Sequence, residues 1–264
     1  MSHRDDYEPG VPSWIDTLQP DPEAAMAFYG ALFGWEVAGP GPGGYLVGRL
    51  RGRDVAGIGS PPADGPAPAP APAWNTHVYV ERADDAAQRA RVAGGAVLVE
   101  PFDVLPAGRL AVLADPAGAA LGVWEPRERK GAQLVNEPGA WAMSHLSTPD
   151  IDAAAAFYGA LFGWTTETFG EGAGALTMFR LPGYEGGEPQ QPVSREVVAT
   201  MGASDDGAAQ WSVNFWDHDV DATAAKAVEL GGRAVVAPFD TPMTRTAVLA
   251  DPHGASFTIN NVPG

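Results

Sequence analysis

The residues best suited to acid–base chemistry are Asp16, His77 and His145, each inside a short segment of alternating apolar and polar positions. An imidazole ionises near neutral pH, and a carboxylate beside it orients the ring and raises its pKa. Asp16 with His77 therefore reads as a general acid/base pair, and His145 as a lone base. A hydrogen-bonded structural role competes with catalysis at each of the three. His218 and His253 fall at a helix start and a turn and read as surface. Arg109 and Arg245 hold matching places; they either clamp a carboxylate through two parallel hydrogen bonds or sit solvated in a turn. The chain has no cysteine, which removes thiolate chemistry, disulfides and cysteine-based zinc sites.

Strand alternation decides what accompanies these groups, because successive side chains point to opposite faces. If Ile15 and Thr17 face the helices, Trp14 and Asp16 share the other face. The same rule puts Val78 and Val80 opposite Asn75, His77 and Tyr79, and Leu121 and Val123 opposite Gly122 and Trp124. Further along, Ser144 and Leu146 lie opposite Met143 and His145, Val213 and Phe215 opposite Ser212, Asn214 and Trp216, and Phe257 and Ile259 opposite Thr258 and Asn260.

The helices that position these strands are marked by a repeat. Phe28-Tyr29-Gly30-Ala31-Leu32-Phe33-Gly34-Trp35 returns letter for letter as Phe157 to Trp164, so the chain is a tandem duplication. Asp21-Pro22 caps and opens the first helix. Ala25, Phe28, Tyr29, Leu32 and Phe33 form one apolar stripe, and Gly34 ends it. Asp150, Ala154, Phe157, Tyr158, Leu161, Phe162 and Gly163 repeat the arrangement, so the aromatics read as core. Helices ending at Gly94-Gly95 and Gly231-Gly232, and turns at Asp115-Pro116-Ala117-Gly118 and Asp251-Pro252-His253-Gly254, complete two further units. Each unit has the order βαβββ.

A chain of 264 residues accommodates two domains of about 130 residues, each with its own core. The formal charge of −17 opposes binding to nucleic acid or an anionic membrane, since both require a basic patch. No apolar run approaches the roughly 20 residues of a membrane span. Met1 to Asp6 has no apolar signal core, so the expected location is cytoplasmic. Residues 1–11 read as a loose arm, and the alternating Pro and Ala of residues 61–72 as an extended spacer.

These motifs resemble the glyoxalase/bleomycin-resistance/dioxygenase family, the vicinal oxygen chelate superfamily. The carrying residues are Asp21-Pro22 with the Phe28–Trp35 octet, Gly94-Gly95, the Asp115–Gly118 turn, and their copies at Asp150, 157–164, 231–232 and 251–254. The resemblance covers residues 12–126 and 139–262, and its branch is similar to two-domain actinobacterial proteins, some near natural-product pathways. It implies an α+β fold of four βαβββ units forming two tandem domains, each an open, curled mixed sheet with helices outside. The first domain spans 12–126 (units 12–60 and 73–126, joined by the 61–72 linker). Residues 127–138 are a linker, and the second domain spans 139–264 (units 139–203 and 209–262).

In this fold the polar and aromatic faces line pockets. The first would hold Trp14, Asp16, Asn75, His77, Tyr79 and Trp124; the second Met143, His145, Ser212, Asn214, Trp216, Thr258 and Asn260. Flat aromatic walls with a few polar groups suit a planar organic ligand. Active members of the family bind one divalent metal through His and Glu. The corresponding positions here are Trp14, Met143, Asn75, Ser212, Gly122 and Thr258, so no metal or other cofactor is expected. The expectation is a metal-free pocket for a small aromatic or polyketide-like molecule, in a binding or resistance protein or a tailoring enzyme of lyase or isomerase type using His145, His77 and Asp16. The alternative is a metal-dependent glyoxalase-type lyase or dioxygenase. The expected partner is a small-molecule ligand, with the chain a monomer or homodimer.

Overall fold

A computed structural model describes residues 3–62, 71–171, 175–186, 194–204, 206–241 and 244–261. Most of the Pro/Ala spacer, residues 63–70, lies outside the described residues. Four βαβββ units follow one another. The first is β1 (Pro12–Leu18), α1 (Pro22–Phe33), β2 (Glu36–Ala38), β3 (Leu46–Leu50) and β4 (Arg53–Gly59). The second is β5 (Trp74–Tyr79), α2 (Ala83–Val92), β6 (Ala96–Val104), β7 (Gly108–Ala114) and β8 (Ala120–Pro126). The third is β9 (Trp141–Thr148), α3 (Ile151–Phe162), β10 (Thr165–Phe169), β11 (Leu176–Arg180) and β12 (Val197–Ala203). The fourth is β13 (Gln210–Trp216), α4 (Val220–Glu229), β14 (Arg233–Asp240), β15 (Arg245–Ala250) and β16 (Ser256–Asn261).

The repeated helices begin and end as their sequences dictate. Asp21 and Asp150 accept the backbone N–H groups of Ala24 and Ala153 at 3.0 and 2.9 Å. Gly34 and Gly163 close the helices in the left-handed conformation. The strands form two open mixed sheets of eight, in the orders β2-β3-β4-β1-β5-β8-β7-β6 and β10-β11-β12-β9-β13-β16-β15-β14. Within each βαβββ unit the first and last strands pair in parallel, and its last three strands pair antiparallel in succession.

Two compact units emerge, each drawing on both halves of the sequence. One comprises Met1–Trp14, Asn75–Gly131 and Met143–Ser212; the other comprises Ile15–Trp74, Ala132–Ala142 and Val213–Gly264. In the first, α2 packs on α3; in the second, α1 packs on α4. The octet aromatics are core in both. Tyr158 stacks on Trp164 with ring centroids 5.7 Å apart and meets Trp211 edge-on at 5.4 Å. Tyr29 stacks on Trp35 at 5.6 Å and meets Trp74 edge-on at 5.2 Å. Such geometries match the ring quadrupoles and add about 0.5–1.5 kcal/mol per pair beyond area burial.

The N-terminal arm is not loose. Gly10 N–H donates to Tyr79 O at 2.8 Å and Tyr79 N–H to Val11 O at 2.9 Å, which extends the ladder beyond β1. The indole of Trp164 donates to Gly10 O at 2.7 Å, and Tyr7 packs against the core of the same unit. The aromatic character of Tyr7 outweighs the polar composition around it. In the other unit Trp35 donates to Gly139 O at 2.7 Å, the equivalent anchor for the chain entering β9.

Candidate functional site

On the β5–β8 side of the first sheet, three expected pocket residues are packed away. Trp14, His77 and Trp124 are 6, 5 and 8% exposed. The His77 ring lies where a side chain on Gly122 would be: a Cβ there would sit 2.0 Å from Nδ1. Trp124 covers Gly108 in the same way, at 2.4 Å. Its indole N–H donates to Arg129 O at 2.8 Å. The Arg129 guanidinium carbon stands 5.3 Å from the Trp14 ring centroid. Asn75 and Tyr79 keep partial exposure. Asp16 belongs to the other compact unit, where the Tyr45 hydroxyl donates to it at 3.0 Å. The Tyr45 ring fills the space that Gly57 and Gly59 leave open.

His145 is arranged differently. It stands on β9, half-buried, in register with Thr200 of the parallel strand β12. Its Nδ1 is 2.9 Å from Thr200 Oγ1, and Ser212 Oγ donates to its backbone oxygen at 3.3 Å. Burial pushes the imidazole pKa down to about 4, so the ring is neutral at pH 7. Met143 and Ser212 are half-buried beside it in sequence and by hydrogen bonding. A neutral imidazole held by a threonine hydroxyl presents one nitrogen for a ligand. It is a poor general base at pH 7, because catalytic pKa values work best near the operating pH.

The depressed pKa has a consequence for stability. The unfolded chain takes up a proton on this histidine through the ordinary value near 6.5, whereas the folded chain does so only near 4. Folded-state stability from His145 is therefore complete above pH 6.5 and lost as pH falls towards 4. The full shift corresponds to at most about 3 kcal/mol, reduced by the ring's remaining solvent contact. Urea denaturation of wild type and His145→Gln at pH 7 and pH 4.5 is expected to show wild type losing about 1–3 kcal/mol more on acidification. Equal losses would show that the ring is not held neutral.

The remaining second-sheet candidates belong to the other compact unit. Asn214 pairs in register with Thr258, and Trp216 with Asn260. Across β15, Val248 and Thr246 continue the same two rows. All four candidates keep partial exposure, and Asn260 Oδ1 is buried without a hydrogen-bond partner. So none of the seven second-sheet candidates is fully buried, whereas three of the six on the first sheet are.

The donor set does not fit a catalytic metal. The positions implied by the resemblance offer an indole, a thioether, an amide, two hydroxyls and, at Gly122, no side chain at all, its space being taken by the His77 ring. Divalent transition metals need imidazole, carboxylate or thiolate donors. Among the described residues no group of three or more His, Cys, Asp or Glu converges on one point.

The matched arginines prove to be structural clamps. Arg109 donates through Nε and Nη2 to Asp84 at 2.9 and 3.1 Å and through Nη1 to Asp103 at 3.1 Å, which ties the start of α2 to the β6–β7 hairpin. Arg245 does the same with Asp221 and Asp240. Of the two alternatives the sequence left open, the solvated turn is set aside: each fork is satisfied by two carboxylates of the chain itself. His253 is also drawn inward, its Nδ1 3.1 Å from Gln19 Oε1, while His218 is exposed. Sequence reasoning missed Thr200, Tyr45 and Arg129. Thr200 lies 55 residues from His145 and meets it only through strand pairing. Arg129 sat in a charged run that read as linker.

The glyoxalase-like domain matches residues 14–124 and 130–260. The anthracycline biosynthesis protein DnrV of Streptomyces peucetius is 37% identical, over 96% of this chain and 94% of its own. The protein named "Putative glyoxylase CFP32" of Mycobacterium bovis is 37% identical, over 98% and 97%. Among solved structures, the 2,3-dioxygenase LapB from Pseudomonas sp. KL28 superposes with a TM-score of 0.65 at 12% identity, over 98% of this chain and 94% of that one. A Mn(II)-bound glyoxalase from Novosphingobium aromaticivorans gives 0.63 at 15%, over 96% and 82%. At such identities the two structures speak for the fold alone. Among the described residues no helix is long and apolar enough to cross a membrane. The chain belongs to the vicinal oxygen chelate superfamily, as a tandem pair of glyoxalase-like domains.

Proposed function

We propose that the chain holds a small, planar, aromatic or polyketide-like organic molecule against the His145 patch of β9 and β12, without a metal ion. The observation that carries this reading is the neutral, half-buried imidazole of His145, fixed by Thr200. Met143 supplies an adaptable apolar contact, and the free ring nitrogen gives or takes one hydrogen bond. A binding role is favoured over acid–base turnover because a group with a pKa near 4 transfers protons inefficiently at pH 7. The name of the Streptomyces peucetius relative, an anthracycline biosynthesis protein, supports the aromatic polyketide class.

Titration of the purified, metal-stripped protein with 1,4-dihydroxyanthraquinone, followed by fluorescence, tests the reading. Saturable binding is expected, weakened at least about tenfold by His145→Ala (about 1.4 kcal/mol). Elemental analysis of the protein as isolated accompanies it. Binding that appears only after a transition metal is restored, or that ignores His145→Ala, would overturn the proposal.

A further inference from the structure

The last βαβββ unit carries a strand face that differs in kind from its counterpart in the second. Strand pairing sets residues of β13, β16, β15 and β14 side by side in two rows. One row runs Trp216, Asn260, Thr246 and Phe239. The other runs Asn214, Thr258, Val248 and Val236. Both belong to one compact unit. The residues at alternate positions, Phe215, Phe257, Ile259, Ala247 and Leu249, are buried in the core, so the two rows lie on the face turned away from it. The corresponding rows across β5, β8, β7 and β6 are Tyr79, Trp124, Leu110 and Phe102, then His77, Gly122, Val112 and Val99. The outer positions agree between the copies: Phe102 with Phe239, Val99 with Val236, and Val112 with Val248. The floor between them does not. Asn260 stands where the other copy has Trp124, Thr246 where it has Leu110, Thr258 where it has Gly122, and Asn214 where it has His77.

We propose that the β13–β16–β15–β14 face is a carbohydrate site: it takes a neutral, polyhydroxylated sugar ring, the C–H side of the ring on the Trp216 indole and its hydroxyls on Asn260, Thr246 and Thr258. This goes beyond the His145 reading and does not rest on it. Every difference on the floor puts an amide or a hydroxyl there, and none puts a charge. A strand face that merely meets water draws on Lys, Glu, Asp and Arg, the residues most often exposed; this floor has none of them and is half-buried. Amides and hydroxyls both give and accept hydrogen bonds, which matches neighbouring sugar hydroxyls that do the same. A half-exposed indole offers a flat apolar surface with a polar edge. Asn260 Oδ1 is buried without a hydrogen-bond partner among the described residues, which is a cost to the fold. The residue keeps partial exposure, so a turn of its carboxamide presents this oxygen to a ligand hydroxyl. Thr246 Oγ1 is held 2.8 Å from Thr244 Oγ1 and keeps a further lone pair. Phe239, 42% exposed on the edge strand β14, and Val236 give the outer end an apolar surface. A flat aromatic ligand would desolvate these amides and hydroxyls without replacing their hydrogen bonds, and is better served by a floor like that of Leu110 and Trp124.

The full chain is titrated with the methyl glycosides of glucose, galactose, xylose and rhamnose and followed through its 1H–15N resonances. The Trp216 indole signal, identified by its loss in Trp216→Phe, and the side-chain amide of Asn260 are expected to move saturably with at least one glycoside. Asn260→Leu should weaken that glycoside about tenfold, and Thr246→Val, which keeps the shape and loses the hydroxyl, about threefold. If Asn260→Leu does not fold, Thr246→Val and the wild-type resonances decide. The proposal is overturned if no glycoside of the four moves either signal, or if affinity is unchanged in the two variants. It is also overturned if 1,4-dihydroxyanthraquinone moves the Trp216 signal and the glycosides do not, which gives this face to an aromatic ligand. The His145 reading fails separately, through the anthraquinone titration of wild type against His145→Ala.

Discussion

Asp251→Ala is expected to destabilise the protein by about 4 kcal/mol, a large fraction of the 5–15 kcal/mol that holds a typical domain together. Asp251 is 2% exposed and opens the second copy of the Asp-Pro turn. Its Oδ1 accepts the backbone N–H groups of His253 and Ala255 at 3.0 and 2.9 Å. Its Oδ2 accepts the Tyr29 hydroxyl at 3.0 Å and the Gln19 amide at 2.8 Å. Tyr29 in turn accepts the Trp74 indole N–H at 3.0 Å. Removing the carboxylate strands four donors, three of them buried, each buried one costing about 1–3 kcal/mol when left unpaired, with partial relief by relaxation. Burial and the adjacent carboxylate raise the Tyr29 pKa well above its ordinary value, so the phenol stays a donor throughout the neutral range. Asp251→Asn keeps one acceptor and the shape, and should cost about half as much. Chemical denaturation measures both. A loss under 1 kcal/mol for the alanine variant would mean that water or neighbouring groups replace the carboxylate.

The same device occurs in the other compact unit. There Asp115 accepts Ala117 N–H, Ala119 N–H and the Tyr158 hydroxyl at 3.0, 2.9 and 3.1 Å. Trp211 donates to Tyr158 at 2.8 Å. It lacks the Gln19 contribution, so Asp115→Ala should cost somewhat less than Asp251→Ala. The conserved letters of the duplication therefore describe a buried polar anchor. In each unit it ties the first helix of one half to the last turn of the other half's second βαβββ module.

How much of this was legible depended on the range of the interaction. Helix limits, caps and the apolar stripe depend on residues within one or two turns, and Asp21, Asp150, Gly34 and Gly163 act as their local sequence states. The alternation of each strand was also local, and it sorted Val78, Val213 and Phe257 into the core. The Asp115 and Asp251 turns were readable as turns but not as anchors, because their partners Tyr158 and Tyr29 lie 43 and 222 residues away. The site was legible as a list of faces, not as space. Whether a face is open depends on what a distant side chain does at a glycine. Tyr45 enters over Gly57 and His77 over Gly122, and neither choice follows from period-two patterning. The exchange of partners that puts α2 on α3 and α1 on α4 is equally invisible to a reading that takes each half in turn.

Gly95→Ala is expected to cost about 2–4 kcal/mol, more than its modest chemistry suggests, and Gly232→Ala nearly as much. Each follows a glycine in the left-handed region, Gly94 at φ +88° and Gly231 at φ +90°, so the Gly-Gly pair first ends the helix and then passes beneath it. A Cβ on Gly95 would lie 2.5 Å from the backbone oxygen of Ala114 on β7 and 2.5 Å from the Phe157 ring of α3. On Gly232 it would meet Ala250 O at 2.6 Å, Ala227 O at 3.0 Å and the Phe28 ring at 3.1 Å. A ring can turn aside, but a carbonyl in a strand pairing cannot, so α2 or its hairpin must shift. Phe157 is the residue through which the repeated octet contacts this place, and Gly95→Ala/Phe157→Leu should recover only the part of the loss due to the ring. Gly34→Ala is the control: nothing stands within 4 Å of a Cβ there, leaving only the left-handed backbone penalty of about 1–2 kcal/mol. If Gly95→Ala proves no costlier than Gly34→Ala in urea denaturation, the close approach of helix end to strand does not constrain the fold. If it is costlier and the leucine rescue is partial, the second glycine of each pair sets the distance at which helix and sheet meet.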